Sequence, residues 1–162
     1  MTTEEVREIS KEIFGEPIKE EDFKGIDLKK FIIETNKKSV KEFFGFNLIY
    51  EEWLRPHIIC EDDTEISVQA STYHYCTPRM TSQPEYETYE VCLYDTDLEE
   101  SLKIAKKKKY KEAIQWFIDN DGDSVYAQVP HNIIQNFIDF HGGIKELKHH
   151  IIHHVFCKED EE

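Results

Sequence analysis

A chain of 162 residues is the size of one ordinary domain, long enough to bury a core and too short for two independent ones unless both are small. Hydrophobic residues make up 39% and charged residues 33%, with ten Phe, eight Tyr and two Trp, so there is enough bulky apolar area to offset chain entropy and to exclude general disorder. Thirty-four Asp and Glu against twenty Lys and Arg leave a formal charge of −14, which repels phosphate backbones, disfavours direct nucleic-acid binding and favours basic partners or simple solubility.

The opening MTTEEVREISKEIFG has neither the basic start nor the apolar centre of a signal peptide, and the chain has no apolar run long enough for a membrane span, so a cytoplasmic protein is expected. Thr2 and Glu5 have capping-box spacing, Val6, Ile9, Ile13 and Phe14 recur on one face, and Gly15 supplies a left-handed stop; these predict a first helix. Asp27 is placed to cap a helix carrying Leu28, Phe31 and Ile32, and Ser39 to cap another carrying Val40, Phe43 and Phe44. The segment FGFNLIYEEWLRPHIIC fits either an extended run or a short helix that ends before Pro56.

From Glu65 the apolar period becomes two. Ile66, Val68, Ala70 and Thr72 share one face of a predicted strand, and Ser67, Gln69, Ser71 and Tyr73 the other. A long connection through Pro78 and Pro84 leads to a second strand, YETYEVCLY, with Tyr89, Val91 and Leu93 facing together. Asp97 caps a predicted helix through Ile118, whose run Lys106 to Lys109 reads as its solvated side. DNDGD turns the chain into a third strand, SVYAQV, and Pro130 opens a helix carrying Ile133, Ile134, Phe137 and Ile138 that His141-Gly142-Gly143 closes. The expected fold is therefore α+β: N-terminal helices, then a small antiparallel three-stranded sheet with interleaved helices and a C-terminal helix. The chain divides into a helical segment 1–60, an α+β core 61–157 and an acidic tail 158–162.

Four groups of residues carry chemistry worth weighing. In HHIIHHVFC, His150, His154 and Cys157 fall within ~60° of one another on a helix, a spacing that suits zinc. The apolar Leu147, Ile151, Ile152, Val155 and Phe156 gather opposite them, which equally describes the wet side of a terminal helix. H-E-x-x-H is absent, and so is the metalloprotease base it would supply. DNDGDS lacks an EF-hand's ligands, because Phe117 and Gln128 stand where an acid and a bidentate Glu are needed; it reads as a turn around Gly122. Cys60, Cys76, Cys92 and Cys157 form no C-x-x-C pair and read as free thiols.

The stretch STYHYCTPRM crowds Tyr73, His74, Tyr75, Cys76 and Arg79 where a strand enters a loop. A reactive Cys76 needs a histidine within hydrogen-bond reach and an electropositive setting; otherwise the segment is a packed strand end or a binding edge. The polar sheet face would display Ser67, Gln69, Ser71, Tyr73 and Tyr75 beside Thr88 and Glu90 and beside Tyr126 and Gln128, tyrosine among small polar groups being suited to recognition. Glycine-rich phosphate loops, the G-x-S-x-G elbow and kinase signatures are absent, and neither a cofactor nor a resident metal is called for.

SVQASTYHYCTPR (67–79) and YAQVPHNIIQNFIDFHGGI (126–144), about a fifth of the chain, resemble stretches of small proteins carried by bacteriophages of Gram-positive bacteria. The resemblance implies a context rather than a fold or a catalytic set. Acidic phage-borne proteins of this size include anti-CRISPR inhibitors that occupy the DNA-binding groove of a nuclease. Carboxylates spaced like phosphates can fill a cationic channel and be steered to it over long range. Glu51, Glu52, Glu61, Asp62, Asp63 and Glu65, then Glu85, Glu87 and Glu90, are the candidates, with Tyr73, Tyr75, Arg79 and Tyr126 as neighbouring contacts. The expectation is a non-enzymatic interaction protein that inhibits a basic nucleic-acid-binding host defence factor such as a CRISPR effector nuclease. The alternatives are a small zinc- or thiol-dependent enzyme using some of His74, Cys76, His141, His150, His154 and Cys157, or a small-ligand module on the Tyr-rich sheet face.

Overall fold

The computed structural model describes residues 5, 24–36, 42–43, 46–47, 55–120 and 125–148, the four residues 42, 43, 46 and 47 by backbone alone. Among the described residues the fold is α+β, with four helices and a five-stranded antiparallel sheet. In chain order these are α1 (Leu28–Thr35), β1 (Glu42–Phe43), β2 (Phe46–Asn47), β3 (His57–Cys60), β4 (Glu65–Gln69), β5 (Thr88–Leu93), α2 (Leu98–Ile104), α3 (Lys108–Asp119), β6 (Val125–Pro130), α4 (His131–Phe140) and β7 (Ile144–Lys148). The large sheet runs β6-β5-β4-β3-β7, and β1 pairs with β2 as a separate two-residue ladder.

Alternation sets the sheet's core face. Tyr89, Val91 and Leu93 of β5 are buried on the same side, as their period-two spacing requires, beside Ile66 and Val68 of β4 and Ile58 and Cys60 of β3. Leu28, Phe31 and Ile32 of α1, Ile114 and Phe117 of α3, and Ile134, Phe137 and Ile138 of α4 join them in one core. Edge-to-face contacts of Phe117 with Phe137 (4.9 Å) and with Tyr126 (4.8 Å) tie the two long helices to β6. Local signals are obeyed where they were strongest. The Asp27 carboxylate accepts from the Lys30 amide at 2.8 Å, and α4 starts directly after Pro130 and stops before Gly142 and Gly143, both at positive φ.

Several expectations are corrected. The sheet has five strands, not three, because HIIC pairs on both sides, with β4 and with β7. IKELK, read as the start of a C-terminal helix, is the edge strand β7: Ile144 is buried opposite Cys60, and Lys145 and Lys148 reach acids of the neighbouring hairpin. Phe43, assigned to a Ser39-capped helix, lies in β1. The helix expected from Leu98 to Ile118 is two helices, broken where buried Ala105 turns extended (ψ 129) and Lys107 caps α3 without a side-chain bond. The division drawn at residue 60 falls between β3 and the turn of the β3–β4 hairpin, and α1 shares the sheet's core. The predicted helix over residues 2–15, the Gly122 turn and the His150, His154 and Cys157 group lie outside the described residues, Glu5 alone being helical.

Candidate interaction surface

The antiparallel arrangement puts the described candidate acids, Glu61, Asp62, Asp63 and Glu65 and then Glu85, Glu87 and Glu90, at opposite ends of the sheet, while Glu51 and Glu52 lie outside the described residues. Residues 61–64 turn between β3 and β4, whereas Glu85, Glu87 and Glu90 lie where β5 begins, the end at which β4 stops.

At the first end the carboxylates are spent on neighbours. Asp62 Oδ2 lies 2.6 Å from Nδ1 of buried His141, Asp63 accepts from Lys145 Nζ at 2.7 Å, and Glu61 is 3.7 Å from Lys24 Nζ. Glu65 meets His57 Nδ1 at 2.8 Å and Lys148 Nζ at 3.3 Å. Burial pushes both Asp62 and Glu65 upward, yet hydrogen bonds outweigh it, from His141 and Thr64 on Asp62 and from His57 and Lys148 on Glu65, and hold both below the usual carboxylate range. The turn docks against the α4–β7 turn: the Glu61 amide donates to the Gly143 carbonyl at 3.0 Å, and a Cβ on Gly142 (φ +93) would come within 2.9 Å of Glu61 Cβ.

At the second end the residues between β4 and β5 form a loop whose polar atoms point inward. Ser71 Oγ accepts from the Tyr73 amide at 3.0 Å and sits 2.6 Å from His74 Nδ1; both Ser71 and His74 are buried. The Cys76 thiol donates to the carbonyls of Ser71 (3.3 Å) and Pro78 (3.4 Å). Thr77 forms an isolated bridge with Thr88 across a cis peptide to Pro78. Gln128 locks this to β6: its Oε1 accepts from the hydroxyls of Thr77 (2.7 Å) and Thr88, its Nε2 donates to the Cys76 carbonyl, and its amide donates to the Tyr75 carbonyl at 3.1 Å. The Tyr75 amide donates to Glu90 at 3.0 Å. From below, buried Arg55 binds the loop's base to α1, donating to the carbonyls of Ile32 and Ala70 and to Thr35 Oγ1 and Asn36 Oδ1.

Among the side chains this frame leaves outside, three are large and hydrophobic. Tyr73, Tyr75 and Met80 are 60%, 56% and 54% exposed within eight residues of sequence. The exposed Arg79 guanidinium lies 5.0 Å over the Tyr75 ring, and its Nε donates to the Thr72 carbonyl at 3.0 Å. Two aromatic rings, a methionine and an arginine on a hydrogen-bonded loop are the composition enriched in protein–protein contact centres, and the network lowers the entropy lost when they are covered.

Other candidate residues fall elsewhere. Tyr126 is 4% exposed; it pairs with Val91 and packs on Phe117, so it belongs to the core face, not to the displayed one. A register shift between Tyr89 and Val91 against β6, together with Gln128 at φ +55, changes the alternation that had put Tyr126 and Gln128 together. Ser67 and Gln69 are buried, Gln69 bonding both the amide and the carbonyl of Arg55, so β4 has no open polar face. Glu85 pairs with Lys29 at 2.9 Å and Glu87 is exposed. Burial pushes the Cys76 thiol above its ordinary pKa and His74 below its own, and His74 Nδ1 faces Ser71 rather than the sulfur, an arrangement that keeps the thiol protonated. Among the described residues no group of three or more His, Cys, Asp or Glu converges to hold a metal ion, and no helix is long and apolar enough to cross a membrane. No family model, curated protein or solved structure matches this chain.

Proposed function

We propose that this is a non-enzymatic interaction protein that binds and inhibits a basic, nucleic-acid-handling host factor, with a nuclease effector of the CRISPR type as the leading partner. The observation that carries the reading is the loop of Tyr73, Tyr75, Arg79 and Met80, which exposes large hydrophobic side chains while the amides of Tyr73, Tyr75 and Met80 and the Thr72 carbonyl are hydrogen-bonded within the fold. The net charge of −14 supports a basic partner, and the resemblance of residues 67–79 and 126–144 to phage-borne stretches supports the setting.

The two features divide the work. Residues 24–36, 55–120 and 125–148 carry seventeen Asp and Glu against thirteen Lys and Arg, and the acids in and beside the β3–β4 turn lie at contact distance from His141, Lys145 and Lys148. Long-range approach then falls to the field of the whole chain, which salt screens, and short-range recognition to the aromatic loop, which salt leaves intact.

The test is capture from a Gram-positive lysate on immobilised protein, followed by binding measurements with the purified partner at low and high salt. A basic nucleic-acid-binding protein should be recovered, with an association rate that falls as salt rises and an affinity that collapses in Tyr75→Ala. Recovery of no such protein, or retention unaffected by both salt and Tyr75→Ala, would defeat the proposal.

A further inference from the structure

On the helical side of the sheet a pocket of about 230 Å³ opens between α1, the end of the β4–β5 loop and the start of α4. At the packing density of protein interiors that is room for roughly ten non-hydrogen atoms, the size of a fragment rather than of a nucleotide. Its walls are Ile32, Pro84 and the rings of Tyr86 and Tyr89, whose centroids are 5.8 Å apart and tilted by 49°. The Tyr89 hydroxyl is hydrogen-bonded to His131 Nδ1 at 2.8 Å, and Lys29 and Glu85 close the rim as an exposed ion pair.

Two cations, Arg55 and Lys29, bear on this pocket against two carboxylates, Glu85 and Asp27, and Arg55 differs from the others in being buried. Behind the wall lies Arg55, which donates to the Ile32 carbonyl at 3.0 Å and holds its guanidinium 5.9 Å over the Tyr86 ring. Arg55 is buried, its hydrogen-bond acceptors are carbonyl, hydroxyl and amide oxygens, and its Nε has no partner. A guanidinium stays charged in such a setting, so a full positive charge acts across a low-dielectric wall without a bonded carboxylate to offset it. Lys29 adds a second positive charge at the mouth. Glu85 is the single carboxylate among the described lining residues and already belongs to Lys29 through a surface pair that water screens.

We infer that this pocket binds a small organic carboxylate with a planar or branched apolar body, the body lying against Tyr86, Tyr89, Ile32 and Pro84 and the carboxylate meeting Lys29 in competition with Glu85. The site shares the β4–β5 loop's base but uses none of Tyr73, Tyr75, Arg79 and Met80, and it needs no macromolecular partner.

Benzoate and phenylacetate are the probes, titrated into the full chain and followed by the NMR resonances of the His131 ring. Both should give saturable shifts in the millimolar range expected for so few atoms, while benzamide and inorganic phosphate, which each lack one half of the recognition, should not. Lys29→Gln should weaken benzoate by roughly twofold to fivefold, and Glu85→Gln, which removes the competitor, should strengthen it by a similar factor. Both positions are exposed, so neither change puts the fold at risk. A His131 signal unmoved by benzoate, equal shifts with benzamide, or two variants that move affinity in the same direction would each overturn the inference.

Discussion

The two ends of the sheet manage the same raw material in opposite ways. The β3–β4 turn exposes charge but compensates it: Glu61, Asp62, Asp63 and Glu65 each have a basic neighbour, drawn from Lys24, His141, Lys145, His57 and Lys148. The β4–β5 loop buries Ser71 and His74, is held by buried Arg55 and by Gln128 of β6, and leaves Tyr73, Tyr75 and Met80 in water. A cluster of acids in sequence is thus a poor guide to a charged docking surface, because antiparallel pairing can bring lysines from a distant edge strand beside it. An exposed aromatic group on a hydrogen-bonded loop is a better one, since its apolar area stays open to a partner.

If the loop is held as described, its buried anchor should matter most to stability. Arg55→Met should cost about 3 kcal/mol in denaturant unfolding, since it strips donors from the Ile32 and Ala70 carbonyls and from Asn36 in a buried site. A change within experimental error of zero would show that the network does not support the loop. Tyr75→Ala should do the reverse, leaving unfolding nearly unchanged while weakening the partner by about 2 kcal/mol, or ~30-fold in affinity, by titration calorimetry. Asp63→Asn at the other end should leave that affinity unchanged, and an equal loss in both variants would erase the distinction between the ends.

Within the acidic turn the pairs should differ among themselves. A double-mutant cycle on Asp62 and His141 should give a coupling on the order of 1 kcal/mol, reduced by solvent at the half-exposed Asp62, whereas Asp63 with Lys145 should give no measurable coupling.

The smallest effects appear with pH. Burial holds His74 and His131 below the ordinary 6.5, so the unfolded chain takes up protons first. Their contribution is complete above about pH 6.5 and is lost as pH falls through the folded values. Asp62 and Glu65 are depressed carboxylates, so their contribution persists until pH falls below about 4 and is then lost as they protonate in the folded state. Stability measured against pH should therefore decline in two stages on acidification. His74→Gln should flatten the upper stage, and a profile unchanged by that substitution would show that His74 does not titrate on unfolding.

Much of this was legible in the chain. Asp27 before Leu28, Phe31 and Ile32 wrote α1; Pro130 and the Gly142-Gly143 pair bounded α4; alternation through Tyr89, Val91 and Leu93 marked β5, and the crowding of Tyr73, Tyr75 and Arg79 marked the loop. These signals are local, carried by backbone geometry and by residues two to four apart, so the sequence alone determines them. The strand identity of HIIC and IKELK, the burial of Ser67, Gln69 and Tyr126, the lysines that meet the acidic turn and the pocket beside Arg55 all depend on segments tens of residues apart. A four-residue apolar run or an isolated arginine has no preference strong enough to choose its own surroundings. Only the packed sheet and helices supply the partner that decides between strand and helix, or between a solvated charge and a buried one.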